Sequence, residues 1–253
     1  MCSNQLKLNG DKTEAILFLK LSLPSDCLPS SVTVATHQTA FSDKVRNLGF
    51  ILASNLTMKQ HVIKVCQTAY YELKRISSIR SYLTADATKK LVTSCVLSRL
   101  DYCNSLLMDT PNSVIQPMQN AQNAAARLIL RALRHKHCTP LLQQLHWLPI
   151  SERIKYKTAC MCYNSTTGSA PSYLSELLQL YSPSRSLRSS PDTPILKLRR
   201  FNRKTHGFRS FSYFSPLIWN NLPQDVRHSN SLPSFKNKRH FSSLNISTKY
   251  HCP

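Results

Sequence analysis

The stretch Lys59–Arg80, KQHVIKVCQTAYYELKRISSIR, decides the fold class of this chain of 253 residues. Its apolar positions recur at alternating intervals of four and three residues: Val62, Cys66, Ala69, Leu73 and Ile76. Because an α-helix makes one turn in 3.6 residues, this spacing places them all on one helix face. The stretch therefore predicts a long amphipathic helix that needs other helices to cover its apolar face.

A second helix is predicted after Thr84 and ends near Leu107. The Thr84 hydroxyl can accept from a free backbone N–H of the first turn, and Asp86 in that turn faces the positive end of the helix dipole. We predict its inner stripe as Ala87, Leu91, Cys95, Ser98 and Tyr102. This helix supplies a first partner for the apolar face of Lys59–Arg80.

A third helix begins at Ser113 or Gln116, with Pro117 tolerated only in its first turn, where no N–H bond is needed. Its predicted inner stripe is Met118, Ala121, Ala125, Leu128 and Ala132. A fourth helix, capped by Ser151, runs to about residue 163. Together these segments predict a helical domain over residues 57–165.

Residues 1–56 are predicted to hold a small amount of β-structure. An apolar run around Ala15–Leu19 follows a tight turn and predicts a strand within residues 6–23. A second short strand is expected over Val45–Leu52, and the intervening residues 24–40 are expected to form a loop with one strand at most.

Residues 166–253 form the predicted tail. Eight of the thirteen residues in 182–194 are Ser or Pro, a composition typical of a solvated linker. A basic stretch, Lys197–Lys204, follows, and after it come several aromatic residues: Phe208, Phe211, Tyr213, Phe214 and Trp219. The predicted fold is thus mainly α, with a small β-segment at the N-terminus, a helical bundle and a largely irregular basic tail.

The charge balance points to a polyanionic partner. The chain has 33 Lys+Arg and 12 Asp+Glu, a net charge of +21, of which residues 110–253 carry +16. Nucleic acid is the first candidate for such an excess and an anionic membrane the second. Four glycines, where average usage would give about 18, leave no Gly-rich phosphate-binding loop, and twelve scattered acids do not suggest a two-metal catalytic site.

The N-terminal sequence and the cysteines indicate the cellular compartment. Charged residues interrupt the first apolar run, so we predict neither a secretory signal nor a transmembrane span, and expect an intracellular protein of cytoplasm or nucleus. The nine cysteines form no CxxC pair and are predicted to be reduced thiols, mostly in the core. The best metal candidates have spacings that match no common zinc module, so we expect no cofactor: His135, His137, Cys138, Cys160 and Cys162.

Eight sequence strings stand in an order that resembles one family: LKLNGDKTE (6–14), VRNLG (45–49), SRLDYCNS (98–105), QNAAARLI (122–129), TPLL with LHWLPI (139–150), RSLRSS (185–190), SFS (210–212) and IWNNLP (218–223). Together they resemble the C-terminal part of the reverse transcriptase of LINE-type (non-LTR, jockey-like) retrotransposons. The resemblance extends over residues 3–241 and implies the end of a polymerase palm, a helical thumb and a tail.

In that family the metal-binding aspartates of the palm, including an Asp-Asp pair, precede the LKLNGDKTE string. This chain contains no Asp-Asp dipeptide, so the two Mg²⁺ ions of the parent polymerase would find no carboxylates here. The resemblance therefore implies a truncated copy that is not itself an enzyme.

The family pattern also suggests roles for individual positions. Lys12 resembles the palm lysine that lies beside the incoming nucleotide, and an ordinary solvated turn lysine is the alternative. Val45–Gly49 resembles the hairpin that grips the primer end, and an ordinary hairpin is equally compatible with the sequence. The helices over residues 58–134 resemble the thumb, which clamps the template-primer duplex.

The predicted nucleic-acid contacts are basic side chains. Arg127, Arg131 and Arg134 are predicted on the helix face opposite the apolar stripe, where they would contact phosphates without reading sequence. In the tail the predicted phosphate contacts are Lys197, Arg199, Arg200, Arg203, Lys204 and Arg209. Phe208, Phe211 or Trp219 could stack on unpaired bases, but packing against the helices is the favoured interpretation.

Two other positions are predicted to serve packing rather than binding. Arg99 and Asp101, neighbours in the SRLDYCNS string, are expected to fix helix packing, and Trp147 is expected to anchor the core.

Three functions remain open at this level. The first is a catalytically inactive reverse transcriptase fragment with residual, nonspecific RNA or DNA binding. The second is a part of an active RNA-directed DNA polymerase whose palm lies upstream or on a partner chain. The third is a basic interaction protein that reuses the helical bundle and carries phosphorylatable serines at residues 182–190.

Overall fold

The chain forms two compact units, Met1–Val65 and Cys66–Pro253. A computed structural model describes the following residues: 9–18, 29–34, 37–182, 195–199 and 209–237. The prediction of a mainly α chain with a small β-segment near the N-terminus is confirmed. The predicted domain boundaries after residues 56 and 165 stay predictions.

The first unit contains two antiparallel β-hairpins. Strand β1 (Ser31–Val34) pairs with β2 (His37–Ala40), and β3 (Lys44–Asn47) pairs with β4 (Phe50–Ala53). The two pairs are separate sheets within the described residues. Residues 24–40 therefore contribute two strands, where the sequence predicted one at most.

The β3–β4 hairpin replaces the single strand predicted over Val45–Leu52, so that prediction was wrong. Leu48 and Gly49 connect the strands with φ angles of 47° and 86°. Positive φ at both central residues is the geometry of a tight two-residue hairpin turn, and Gly49 adopts it without steric cost. The hairpin that the family resemblance placed at Val45–Gly49 is confirmed as a structure.

The segment 9–18 is not the predicted strand. Asn9 accepts a hydrogen bond from the Lys12 N–H (3.3 Å) and caps a short 3₁₀ turn at Gly10–Lys12. Only Ala15 forms a β-bridge there, with Phe41. The prediction failed because an apolar run becomes a strand only where a partner strand satisfies its backbone, and within 9–18 that pairing stops after one residue.

Helix α1 (Lys59–Ser78) confirms the four-and-three pattern. His61, in its first turn, is 4% exposed. Its ring packs against Phe50 with 4.0 Å between ring centroids, and its Nδ1 accepts from the Ile51 N–H at 3.4 Å. This histidine therefore ties the start of α1 to β4 within the first unit.

The segment after Thr84 is helical but broken. Thr84 caps it as predicted, accepting from the Ala87 N–H at 3.2 Å. The described elements are α2 (Ala85–Val92), a π-helical stretch (Thr93–Leu97), α3 (Ser98–Asp101) and a 3₁₀ turn (Asn104–Leu107). Cys103, between the last two, has a φ of 53°, which interrupts the helix.

The buried face of this segment is rotated by one residue from the predicted stripe. The buried positions include Thr88, Val92, Val96, Leu97 and Leu100, whereas Ser98 and Tyr102, both in the predicted stripe, are exposed. The larger aliphatic side chains decide the orientation, because burying them removes more apolar area from water than burying Ser or Cys.

Four further helices follow in the second unit: α4 (Asn112–Leu130), α5 (Cys138–Leu145), α6 (Ile150–Thr166) and α7 (Ser172–Ser175). Helix α5 was not predicted. Met118, Ala121 and Ala125 of α4 are buried as expected, but Ile129 takes the place of Leu128. Pro117 lies inside α4 rather than in its first turn.

Amide side chains join α4 to the start of α6. Gln122 is fully buried and donates from Nε2 to the Leu148 carbonyl at 2.9 Å. Gln119 accepts the Ile150 N–H at Oε1, also at 2.9 Å. Trp147, expected in the core, is only half-buried. The prediction of Trp147 as a core anchor was therefore wrong, and hydrogen-bonded glutamines join α4 to the start of α6.

Residues 209–237 of the tail contain three helices: α8 (Phe211–Asn221), α9 (Gln224–Arg227) and α10 (Leu232–Asn237). Helices α8 and α10 both contact α6. Trp219 is 1% exposed and stacks on Phe235 at 6.3 Å between ring centroids. The tail thus has more helical order in residues 209–237 than the sequence predicted, while most of the Ser/Pro linker lies outside the described residues.

The stability of the first unit should depend on pH through His61. Burial lowers the pKa of His61 from its ordinary value of 6.5. Below about pH 6.5 the unfolded chain then binds more protons than the folded one, and stability falls as the pH drops. We expect the Ile51 amide, corrected for intrinsic rate, to lose hydrogen-exchange protection as the pH falls below that value.

The control is His61→Phe, which keeps a ring against Phe50 but cannot titrate. It should show no such loss of protection over the same pH range. Protection of Ile51 that is independent of pH in the unmodified chain would contradict the assignment.

Candidate nucleic-acid interface

The basic residues at the end of α4 are organised by Arg80, which follows α1. Its guanidinium donates from Nε to the Leu128 carbonyl (2.9 Å), from Nη2 to the Ile129 carbonyl (2.8 Å) and from Nη1 to the Leu83 carbonyl (2.7 Å). The last carbonyls of a helix have no partner within the helix and carry partial negative charge. Arg80 therefore caps the C-terminal end of α4 with a full positive charge.

The chain leaves α4 at Arg131, which has a φ of 50°. The Ala132 N–H then bonds to the Arg127 carbonyl at 3.0 Å, a bond typical of helices that end in a left-handed residue. Arg131 and Arg134 consequently lie beyond the last turn. The prediction that Arg127, Arg131 and Arg134 line one helix face was wrong, because the helix ends before the second of them.

Two of the predicted arginines donate hydrogen bonds to backbone carbonyls. Arg131 donates from Nη2 to the Arg80 carbonyl at 3.4 Å, and Arg127 donates from Nη2 to the Lys136 carbonyl at 3.2 Å. Arg127 is half-buried, and its Nε has no partner among the described residues. These bonds hold the guanidinium groups in place and leave their charges intact.

No ion pair to a described carboxylate is found at this end of α4. The ion pairs of the described residues include Arg75–Glu72, Arg99–Glu72, Lys90–Asp86, Arg153–Asp101 and Lys155–Glu152. None includes Arg127, Arg131, Arg134 or Lys136, and the last three are exposed. The four acids in these ion pairs, Glu72, Asp86, Asp101 and Glu152, thus have other partners.

An exposed aromatic residue follows Arg80 in the chain. Tyr82 is 88% exposed and lies two residues after Arg80, whose carbonyl accepts from Arg131. Leu133 is 60% exposed between Arg131 and Arg134. We call this set the α4-end surface: Tyr82, Arg127, Arg131, Leu133, Arg134 and Lys136. Neither Arg80 nor Tyr82 was predicted, since only the fold brings them to α4.

The tail cations fall into two groups. Lys197 and Arg199 are exposed on a short segment that Asn220 holds by two hydrogen bonds to the Leu196 backbone, at 2.9 and 2.8 Å. Arg209 is half-buried and has a partner. The other predicted tail contacts lie outside the described residues: Arg200, Arg203 and Lys204. Asn220, which belongs to the IWNNLP string, was not predicted to position this segment.

The aromatic residues of the tail follow the packing interpretation where they are described. Trp219 is buried against Phe235 and Tyr163, so it cannot stack on a base. Phe211 is half-buried, and Phe208 lies outside the described residues. Base stacking by Trp219 is therefore excluded in this fold.

The SRLDYCNS string serves packing, but with partners other than those predicted. Arg99 pairs with Glu72 at 3.3 Å and donates to the Cys95 carbonyl at 3.0 Å. Asp101 instead receives two hydrogen bonds from Arg153 of α6, one of them from Nε at 2.8 Å. The predicted neighbourhood of Arg99 and Asp101 thus separates into two ion pairs, which tie α3 to different helices.

In the first unit, Lys12 is exposed in the 3₁₀ turn. Its neighbour Glu14, which the sequence did not single out, accepts the Arg46 N–H of β3 at 3.0 Å. This bond joins the KTE end of the first string to the hairpin of the second, so the two strings lie side by side.

The described residues contain no group of three or more His, Cys, Asp or Glu side chains that could hold a metal ion. The described cysteines are free, and Cys66 and Cys162 are buried. No helix in the described ranges is both long and apolar enough to cross a membrane. Comparison with protein-family models, with curated proteins and with solved structures found no match.

Arg80 can be tested as the residue that stabilises the end of α4. Replacing it with Gln removes hydrogen bonds from a charged group to three carbonyls, and we expect the free energy of unfolding to fall by about 2 kcal/mol. Arg134→Gln removes the same charge from an exposed side chain with no described bond and should change stability by less than about 0.5 kcal/mol. Equal urea midpoints for the two variants would contradict the assignment.

Proposed function

We propose that this chain binds RNA or DNA without sequence preference through the α4-end surface. The observation that carries the proposal is the cluster of Arg127, Arg131, Arg134 and Lys136, for which no carboxylate partner is described. Cations held by backbone carbonyls keep their full charge for phosphates, and phosphate contacts supply affinity without reading bases.

The side chains around the charges support nucleic acid over other polyanions. Tyr82 presents an exposed ring two residues after Arg80, whose carbonyl accepts from Arg131, and aromatic rings interleaved with cations are the means by which proteins hold unpaired bases and phosphates together. Lys197 and Arg199 add two exposed cations in the same unit. Binding would take place in the cytoplasm or the nucleus.

We further propose that the chain corresponds to the end of the palm, the thumb and the tail of a LINE-type reverse transcriptase. Support comes from the eight ordered strings, from the hairpin at Val45–Gly49 and from the helices that follow it. In this proposal the hairpin would face the primer end and the helical unit would hold the duplex. Lys12, an exposed lysine of the 3₁₀ turn, would be the lysine of the palm motif in this proposal.

The binding proposal is tested with the double variant Arg131→Gln/Arg134→Gln. We expect its affinity for a duplex oligonucleotide to fall, and the slope of log K against log salt to become less steep by about 1.8, or about 0.9 for each phosphate that is no longer neutralised. Binding measured by fluorescence anisotropy at several salt concentrations gives both quantities.

The matched control is Arg75→Gln/Lys90→Gln, which removes the same charge from cations that already have carboxylate partners. It should leave the salt slope within about 0.5 of the unmodified chain, because these cations release few counterions on binding. Equal slopes for the two double variants would contradict binding at the α4 end.

The chain by itself is not proposed to catalyse nucleotide transfer, because its twelve acids include no adjacent aspartates to hold two Mg²⁺ ions. We expect no extension of a primed RNA template by the purified chain with Mg²⁺ and deoxynucleotides. Extension that persisted after purification under denaturing conditions and refolding would favour the active-polymerase alternative instead.

A further inference from the structure

A cavity of about 380 Å³ lies in the second unit, and none of the residues that line it belongs to the α4-end surface. It is lined by α6, α10, the turn after α3 and the loop before α6, with these polar residues: Asp101, Asn104, His146, Tyr156, Lys157 and Lys236. The volume is within the range of sites that bind small molecules. The proposed nucleic-acid interface does not use any of them.

The cavity carries two positive charges that no described carboxylate neutralises. Arg153, which also lines it, is paired with Asp101, so those two charges cancel. Lys157 donates from Nζ to the Asp101 backbone carbonyl at 3.0 Å, and neither Lys157 nor Lys236 has an ion pair within the described ranges.

Lys157 of α6 and Lys236 of α10 line the same cavity wall as Cys160. Burial raises the pKa of the Cys160 thiol, while its hydrogen bond with Tyr156 and the charges of Lys236 and Lys157 oppose that rise. Two cations that line one cavity from separate helices can both contact a single phosphate group.

Asn104 contributes a hydrogen-bond acceptor, whereas the two lysines contribute donors. It is 1% exposed, and its Nδ2 donates to Asp101 Oδ1 at 3.3 Å, which fixes the orientation of the amide. Its Oδ1 is buried without a hydrogen-bond donor among the described residues. A buried acceptor of this kind is costly unless a donor reaches it. A ligand that satisfies it must carry a hydroxyl or an amino group.

We infer that this cavity binds a nucleoside monophosphate, with the phosphate at Lys157 and Lys236 and a hydroxyl or amino donor at Asn104. The rings of Tyr156 and His146 and the side chain of Leu148 supply the apolar wall that a base or sugar requires. The ligand is either a free nucleotide or the terminal nucleotide of a strand, since both present the same chemistry.

The test is calorimetric titration of the full chain with AMP, adenosine and inorganic phosphate. We expect AMP to bind at least tenfold more tightly than either part alone. Lys157→Gln/Lys236→Gln should weaken AMP binding at least tenfold, and Arg75→Gln/Lys90→Gln, which removes the same charge outside the cavity, should change it less than twofold. Absent AMP binding, equal loss in both double variants, or phosphate binding as tight as AMP would overturn the inference.

A second measurement does not depend on the folding of the variants. AMP should slow alkylation of Cys160 by iodoacetamide in the unmodified chain and leave that of Cys95, which does not line the cavity, unchanged. Equal protection of both cysteines, or of neither, would count against the site.

Two further comparisons distinguish a free nucleotide from the end of a strand, and the cavity site from the α4-end surface. A 5′-phosphorylated oligonucleotide that protects Cys160 better than its 5′-hydroxyl form supports a strand end, and equal protection by the two leaves the free nucleotide as the ligand. Arg131→Gln/Arg134→Gln should weaken oligonucleotide binding without changing AMP affinity. Loss of AMP binding in that variant would contradict an independent cavity site.

Discussion

Arginine side chains that donate to backbone carbonyls hold together the end of α4 and the turn after α1. Arg80 binds three carbonyl oxygens, and Arg127 and Arg131 bind one each. A carbonyl satisfies the N–H donors of a guanidinium but, unlike a carboxylate, leaves its charge in place. With 12 acids for 33 basic residues the chain cannot pair most of its cations with carboxylates. The bonds that stabilise this region therefore also keep it positive.

The parts of the fold that could be predicted from sequence are those set by local periodicity and capping. The pattern in Lys59–Arg80 predicted α1 to within two residues, and Thr84 caps its helix as expected. Two of the failures depend on distant contacts. Within residues 15–18 only Ala15 of the predicted strand forms a bridge, and the second helix turned its Val92 and Val96 inward because only the packed core decides which of two adjacent stripes is buried.

The candidate surface shows the same limit. Sequence identified Arg131, Arg134 and the tail cations because clusters of basic residues without neighbouring acids are visible along the chain. It could not identify Arg80, whose partners at Leu128 and Ile129 are 48 and 49 residues away, nor Asn220, which holds the Leu196 segment. Both are positioning residues defined by long-range hydrogen bonds, and only Asn220, which lies in the IWNNLP string, could have been singled out from sequence.

The basic cluster lies at a helix C-terminus, where the helix dipole affects the binding of anions. Anions are usually favoured at helix N-termini, whereas the C-terminal carbonyls carry about half a negative charge and repel phosphate. At α4 this repulsion is removed because Arg80 covers the carbonyls of Leu128 and Ile129. The same partial negative charge offsets the mutual repulsion of the nearby arginines in the free protein. Arg131 and Arg134 lie beyond the last turn, on the side of the carbonyls of Leu128 and Ile129 that Arg80 covers.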